Sequence, residues 1–68
     1  MDWLKQIREE RGLTQEILTG QIGVAQATYS NIETGARRPS VATAKRIAAV
    51  LGFDWTRFFE DGEEPKGA

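Results

Sequence analysis

Glycines at 12, 23, 35 and 52 limit what this chain can build. They leave only short stretches between them. Within each stretch apolar residues recur at three- and four-residue spacing, the repeat of one helix face, and nowhere does the two-residue alternation of a half-buried strand appear. The chain therefore reads as all-α. Short helices joined by short connections give a compact domain of crossing helices rather than a long up-and-down bundle.

Five helices are expected. The first spans Asp2 to Arg11, with Leu4, Ile7 and Arg8 on one face. Gly12 sits where a left-handed cap is wanted, and Leu13 returns to the core. Thr14 is a good N-cap for a second helix beginning Gln15-Glu16-Ile17-Leu18, with Ile17, Leu18 and Ile22 as its apolar stripe. A third runs from Ala25 to Thr34 and buries Tyr29 and Ile32. Ser40 caps a fourth, striped by Val41, Ala44, Ile47, Ala48 and Leu51. Asp54 caps a last short helix carrying Trp55, Phe58 and Phe59. The domain is expected to occupy residues 1–61, with 62–68 an acidic, flexible tail.

At 68 residues one domain fills the chain, and with neither cysteine nor histidine there are no disulfides and no usual zinc ligands. A domain this small buries roughly 60% of its unfolded surface, so dense packing or oligomerisation has to stabilise it. No apolar run is long enough for a membrane span, and Met1 to Lys5 lacks the regions of a signal peptide. A cytoplasmic location is expected, with no cofactor, metal or small-molecule ligand. The net charge of −1 argues against nucleic acid until its distribution is considered. Acids gather at Asp54, Glu60, Asp61, Glu63 and Glu64, whereas residues 36–50 hold Arg37, Arg38, Lys45 and Arg46 and no acid. Binding depends on the charge of one face, not on the sum.

The informative stretch is 14–34. Two short helices joined by a tight turn containing glycine follow the helix-turn-helix plan. Gly23 supplies the positive φ of that turn, and four residues earlier the small side chain wanted at the helix crossing is Thr19.

Leu13-Thr14-Gln15, Gly23-Val24, the run Ile32-Glu33-Thr34-Gly35-Ala36-Arg37-Arg38-Pro39-Ser40, and Leu51-Gly52-Phe53 closely resemble the lambdoid repressor and Cro-type helix-turn-helix family, also called the xenobiotic-response-element (XRE) family. The resemblance covers residues 3 to 59. It implies a five-helix domain of the lambda-repressor type that places its third helix in the major groove of double-stranded DNA, in a bacterial or phage transcriptional repressor. Three positions depart from the pattern, among them Gly20 inside the second helix, which costs about 1 kcal/mol of helix propensity. Thr19 stands where alanine is usual, and Ala25 where a Ser or Thr cap is common, a loss of about 0.5–2 kcal/mol.

Exposed residues near the start of such a recognition helix face base edges, which assigns Gln26, Ala27, Ser30 and Asn31 to bases. Gln and Asn match adenine N6 and N7, and Ala27 suits a thymine methyl. Thr14 and Gln15 open a helix whose N–H groups suit a phosphate, and in related repressors the equivalent Gln also braces the residue corresponding to Gln26. Thr34, Arg37, Arg38 and Ser40 would form a second backbone clamp. Arg8 and Glu33 are assigned to a structural ion pair, as in the family. Of the aromatics Trp3, Phe53, Trp55, Phe58 and Phe59, the small core is expected to leave Trp55 and Phe59 exposed as the interface of a two-fold dimer. Such a dimer would set two recognition helices about 34 Å apart.

Two other function classes compete with this one. Catalysis lacks histidine, cysteine and any coordination pattern among the C-terminal acids. A protein-interaction module, such as an antitoxin or a regulator-binding partner, is the stronger rival. It would have no need of Gln26, Asn31 and an adjacent Arg-Arg.

Overall fold

A computed structural model describes residues 1–60; the expected tail at 62–68 lies outside the described residues. Four α-helices, α1 (Asp2–Glu10), α2 (Gln15–Ile22), α3 (Gln26–Thr34) and α4 (Val41–Leu51), precede a single 3₁₀ turn, Trp55–Phe59. No strand occurs among the described residues.

The fifth expected helix is thus a 3₁₀ turn. Asp54 caps it by accepting from Thr56 N at 3.0 Å, and Arg57 N bonds back three residues to Asp54 O. Five residues do not give the four-residue ladder room to propagate. Thr56 holds the Asp54 carboxyl below the usual range, first through its N–H and then through its hydroxyl. The first helix stops a residue early, with Arg11 as its cap.

Caps define the other ends. Thr14 Oγ1 accepts from Ile17 N at 3.1 Å, and Ser40 Oγ from Thr43 N at 3.1 Å. Gly23, at φ +71°, closes α2, and both its own N–H and that of Val24 bond to Thr19 O, which folds the chain back within residues 23–25. At the crossing Thr19 is buried, and its hydroxyl is satisfied by donating to Gln15 O at 2.8 Å. That back-bond lets a hydroxyl occupy a site where an unpaired polar group would cost about 1–3 kcal/mol.

The core is Leu4, Leu18, Ile22, Tyr29, Ile32, Ala44, Ile47, Leu51, Phe58 and Phe59. Two expectations change here. Ile17 is 49% exposed, because α2 turns Leu18, Thr19 and Ile22 inward and the neighbouring position faces out. All five terminal aromatics are absorbed. Phe58 and Phe59 are buried, and Trp3, Phe53 and Trp55 pack against them. The Trp3, Phe53 and Phe58 rings meet at centroid distances of 5.3–5.5 Å. Phe59 is therefore not an exposed dimer surface in this chain. Trp55 is half-buried beneath the Lys45 ammonium, 5.2 Å from its ring centroid. Cations resting on rings replace the bare apolar patch that composition suggests.

Candidate nucleic-acid interface

Helix α3 has one buried side, made by Tyr29, Ile32 and Glu33. At about 100° per residue, Ala27 and Asn31 then point most directly away from the core, with Thr34 and Ser30 beside them. Gln26 falls toward the Glu33 edge and Thr28 toward the Ile32 edge. Gln26, Ala27, Asn31 and Thr34 are exposed, and Ser30 is partly so.

What fixes α3 against the rest is a buried polar cluster. Arg8 grips the Glu33 carboxylate with two bonds, Nε to Oε2 at 2.9 Å and Nη2 to Oε1 at 3.1 Å, and its Nη1 donates to Leu13 O at 2.7 Å. One guanidinium thereby ties α1, the turn before α2, and α3. The same carboxylate accepts from Gln15 Nε2 at 3.2 Å. Gln15 is thus braced by Glu33, whereas the resemblance had implied a Gln15–Gln26 brace. The Met1 amine adds a bond to Glu33 O at 2.7 Å.

Burial pushes the Glu33 carboxyl up, but the bonds from Arg8 and the Gln15 amide, together with the Arg8 charge, outweigh it and hold the group below the usual carboxylate range. A lowered folded-state value means stability that is complete above the unfolded value and lost as pH falls through the folded one. The urea midpoint should therefore fall as the pH is lowered through and below the usual glutamate range, and Glu33→Gln should flatten that slope while lowering the midpoint at neutral pH. Tyr29 Oη is buried here without a hydrogen-bond partner among the described residues. Burial, then the Glu33 carboxylate beside it, drives the phenol far above the usual tyrosine range.

Clefts open along both edges of α3. On the Glu33 edge, a cleft of about 420 Å³ is lined by Met1, Asp2, Lys5, Arg8, Gln15, Glu33 and Thr34. On the Ile32 edge, a cleft of about 310 Å³ is lined by Thr28, Ile32, Arg37, Arg38, Pro39, Ser40 and Thr43. The structure thus separates the expected phosphate residues into two groups, Gln15 with Thr34 and Arg37 with Arg38 and Ser40. Thr14 is exposed at the head of α2, and its cap bond uses only a lone pair, so its O–H remains able to donate. The Thr34 hydroxyl instead donates to Asn31 O at 3.1 Å. Ser40 Oγ donates to Thr43 Oγ1 at 3.0 Å, which leaves the Thr43 proton to point outward. Thr43 and Lys5 line these clefts without belonging to the set expected from sequence. Position three of a helix after a Ser cap is a signal that could have found Thr43. The loop is held by Arg37 N donating to Asn31 O at 3.0 Å, and the Arg38 guanidinium lies 5.9 Å from the Phe59 ring centroid. Among the described residues no acid–histidine–cysteine cluster could hold a metal, and no helix is long and apolar enough to cross a membrane.

Residues 4–58 match the model of the helix-turn-helix family. The chain belongs to that family. Among its helix-turn-helix relatives, the uncharacterized HTH-type transcriptional regulator YqaF of Bacillus subtilis (strain 168) is 51% identical over 59 residues, covering 87% of this chain and 78% of that protein. Control protein C.MunI of a Mycoplasma species is 37% identical over 62 residues, 90% of this chain and 84% of the relative. The solved N-terminal DNA binding domain of SinR from Bacillus subtilis has a TM-score of 0.77 and 26% identity, covering 98% of this chain and 93% of that one. The helix-turn-helix proper is α2, the turn 23–25 and α3.

Proposed function

We infer that this chain is a sequence-specific, double-stranded-DNA-binding transcriptional regulator, a non-enzymatic cytoplasmic repressor that reads a palindromic operator through the major groove as a homodimer. The observation that carries this reading is the outward face of α3. Ala27, Ser30 and Asn31 with Gln26 at the margin stand opposite a fully packed side, between clefts that hold the phosphate-directed residues. Gln26, Ala27, Ser30 and Asn31 read bases. Thr14, Gln15, Thr34, Arg37, Arg38 and Ser40 set the register on the backbone. The Arg38 guanidinium lies within cation–π reach of the Phe59 ring, 5.9 Å from its centroid. The dimer contact is taken to be the C-terminal end, where Trp55 is backed by Phe59 at 6.1 Å.

Selection of bound duplexes from a random library tests the reading. A palindrome with half-sites one helical turn apart is the expected outcome. No enrichment at low salt from folded protein would instead favour the protein-interaction module, and sedimentation of the unenriched sample would reveal its oligomeric state. Two substitutions separate the roles. Gln26→Ala should cost about 1–3 kcal/mol at one base position and relax specificity there. Arg38→Ala should weaken all sequences alike and reduce the salt slope by about one unit. Uniform losses from both would remove α3 from the groove.

A further inference from the structure

The cleft on the Glu33 edge of α3 matters because a helix lying in the major groove has a phosphate backbone on each side of it. On the Ile32 edge, Arg37 and Arg38 supply positive charge. On the Glu33 edge, Arg8 is the conspicuous cation, but both of its bonds to Glu33 and its bond to Leu13 O commit it to the fold. Its charge cancels that of the carboxylate, so the pair leaves the cleft electrostatically near neutral. The Met1 amine is held by Glu33 O, which leaves Lys5 as the remaining side-chain cation of that cleft. It is exposed on α1, and among the described residues it makes no ion pair. Gln15 is oriented to join it. Its amide gives one hydrogen to Glu33 Oε1, and the second hydrogen of the same NH₂ is available to another acceptor.

The geometry points to Lys5 as a phosphate-binding residue, with the Gln15 amide beside it, taking one phosphodiester of the strand opposite the one held by Arg37 and Arg38. This assignment rests on the DNA-binding reading above and adds a second wall to it. The ligand is a backbone phosphate, because nothing in the cleft offers the planar donor–acceptor pattern of a base edge apart from the Gln15 amide, already engaged on one side by Glu33. Asp2 borders the same cleft and opposes the anion. With Asp2 set against the Met1 amine and Arg8 against Glu33, Lys5 supplies the surplus positive charge of the cleft.

Lys5→Gln is the test, since an exposed side chain can be exchanged without disturbing the core; an unchanged urea midpoint verifies that. Binding of a selected duplex is measured by fluorescence anisotropy from 50 to 200 mM salt. One lost phosphate contact reduces the logarithmic salt slope by about 0.9, so the fall in affinity across that range should shrink by roughly three- to fourfold. The base preferences should stay as they are. A scan of single neutral methylphosphonates along the duplex then locates the partner: one position should weaken the parent protein and leave Lys5→Gln unaffected. An unchanged slope, or a methylphosphonate pattern identical in both proteins, overturns the assignment while leaving DNA binding intact. Failure of the parent protein itself to bind any duplex overturns the underlying reading as well, and the two results are distinct.

Discussion

Arg8→Ala should remove a large share of the protein's stability at 25 °C. The substitution leaves the Glu33 carboxylate buried, at 5% side-chain exposure, with only the Gln15 amide to satisfy it, and it also orphans Leu13 O. Breaking a buried pair in this way costs about 3–5 kcal/mol. A chain of this length has on the order of 3–10 kcal/mol in total. Circular dichroism and a urea titration at neutral pH check the figure. Arg8→Ala combined with Glu33→Met should recover part of the loss, because the uncompensated charge is then gone. If the single variant lost less than about 1 kcal/mol, the cluster would have to be solvated rather than buried. With the expected loss of stability, any DNA-binding defect of Arg8→Ala reports on the fold rather than on a missing contact.

Tyr29→Ala carries the second large effect. The ring is fully buried at the centre of the core, between the polar cluster and Ile32. Removing an aromatic ring from such a site costs about 3–5 kcal/mol. The informative comparison is Tyr29→Phe. The hydroxyl is buried without a partner, a state that costs roughly 1–3 kcal/mol when a group is truly unsatisfied. Phe should therefore match or exceed the parent in thermal stability while Ala falls far below it. A Phe variant that melted well below the parent would mean that the hydroxyl donates to Glu33 in solution, and that the carboxylate relies on it.

The outline of this fold is legible in the sequence because its punctuation is chemical. Gly12, Gly23, Gly35 and Gly52 all adopt positive φ, and Thr14, Ser40 and Asp54 all cap the elements they precede. Such local choices depend on nearest neighbours, which a sequence displays. The orientation of Ile17 was not legible. A helical repeat offers Ile17 and Leu18 as near-equivalent inward positions, and only the packing of α2 on α3 and α4 decides between them. The aromatic end failed for a related reason. Composition counts rings, but whether Trp55 and Phe59 are covered depends on Lys45 and Arg38 reaching across from other segments. The interface shows the same division. The face of α3 follows from helical periodicity once Tyr29 and Ile32 are placed inside. Lys5 entered only when three-dimensional structure put α1 beside Gln15 and Thr34.

One detail at the head of α3 bears on how binding would be felt thermodynamically. Ala25 occupies the cap position and its side chain makes no cap hydrogen bond, whereas α2 and α4 begin at Thr14 and Ser40, which do. The first N–H groups of the reading helix are thus left to the solvent in the free protein. Amides with so little holding them open and reclose locally at small free-energy cost. An operator phosphate approaching that end would complete the first turn of the helix from outside the protein. Part of the ordering of α3 then belongs to the association step, which places an entropic loss and a compensating enthalpy in the binding reaction. Amide exchange at Gln26 to Thr28 would slow on the operator more than anywhere in α2 or α4. Recognition would in that sense be coupled to finishing the chain's own secondary structure.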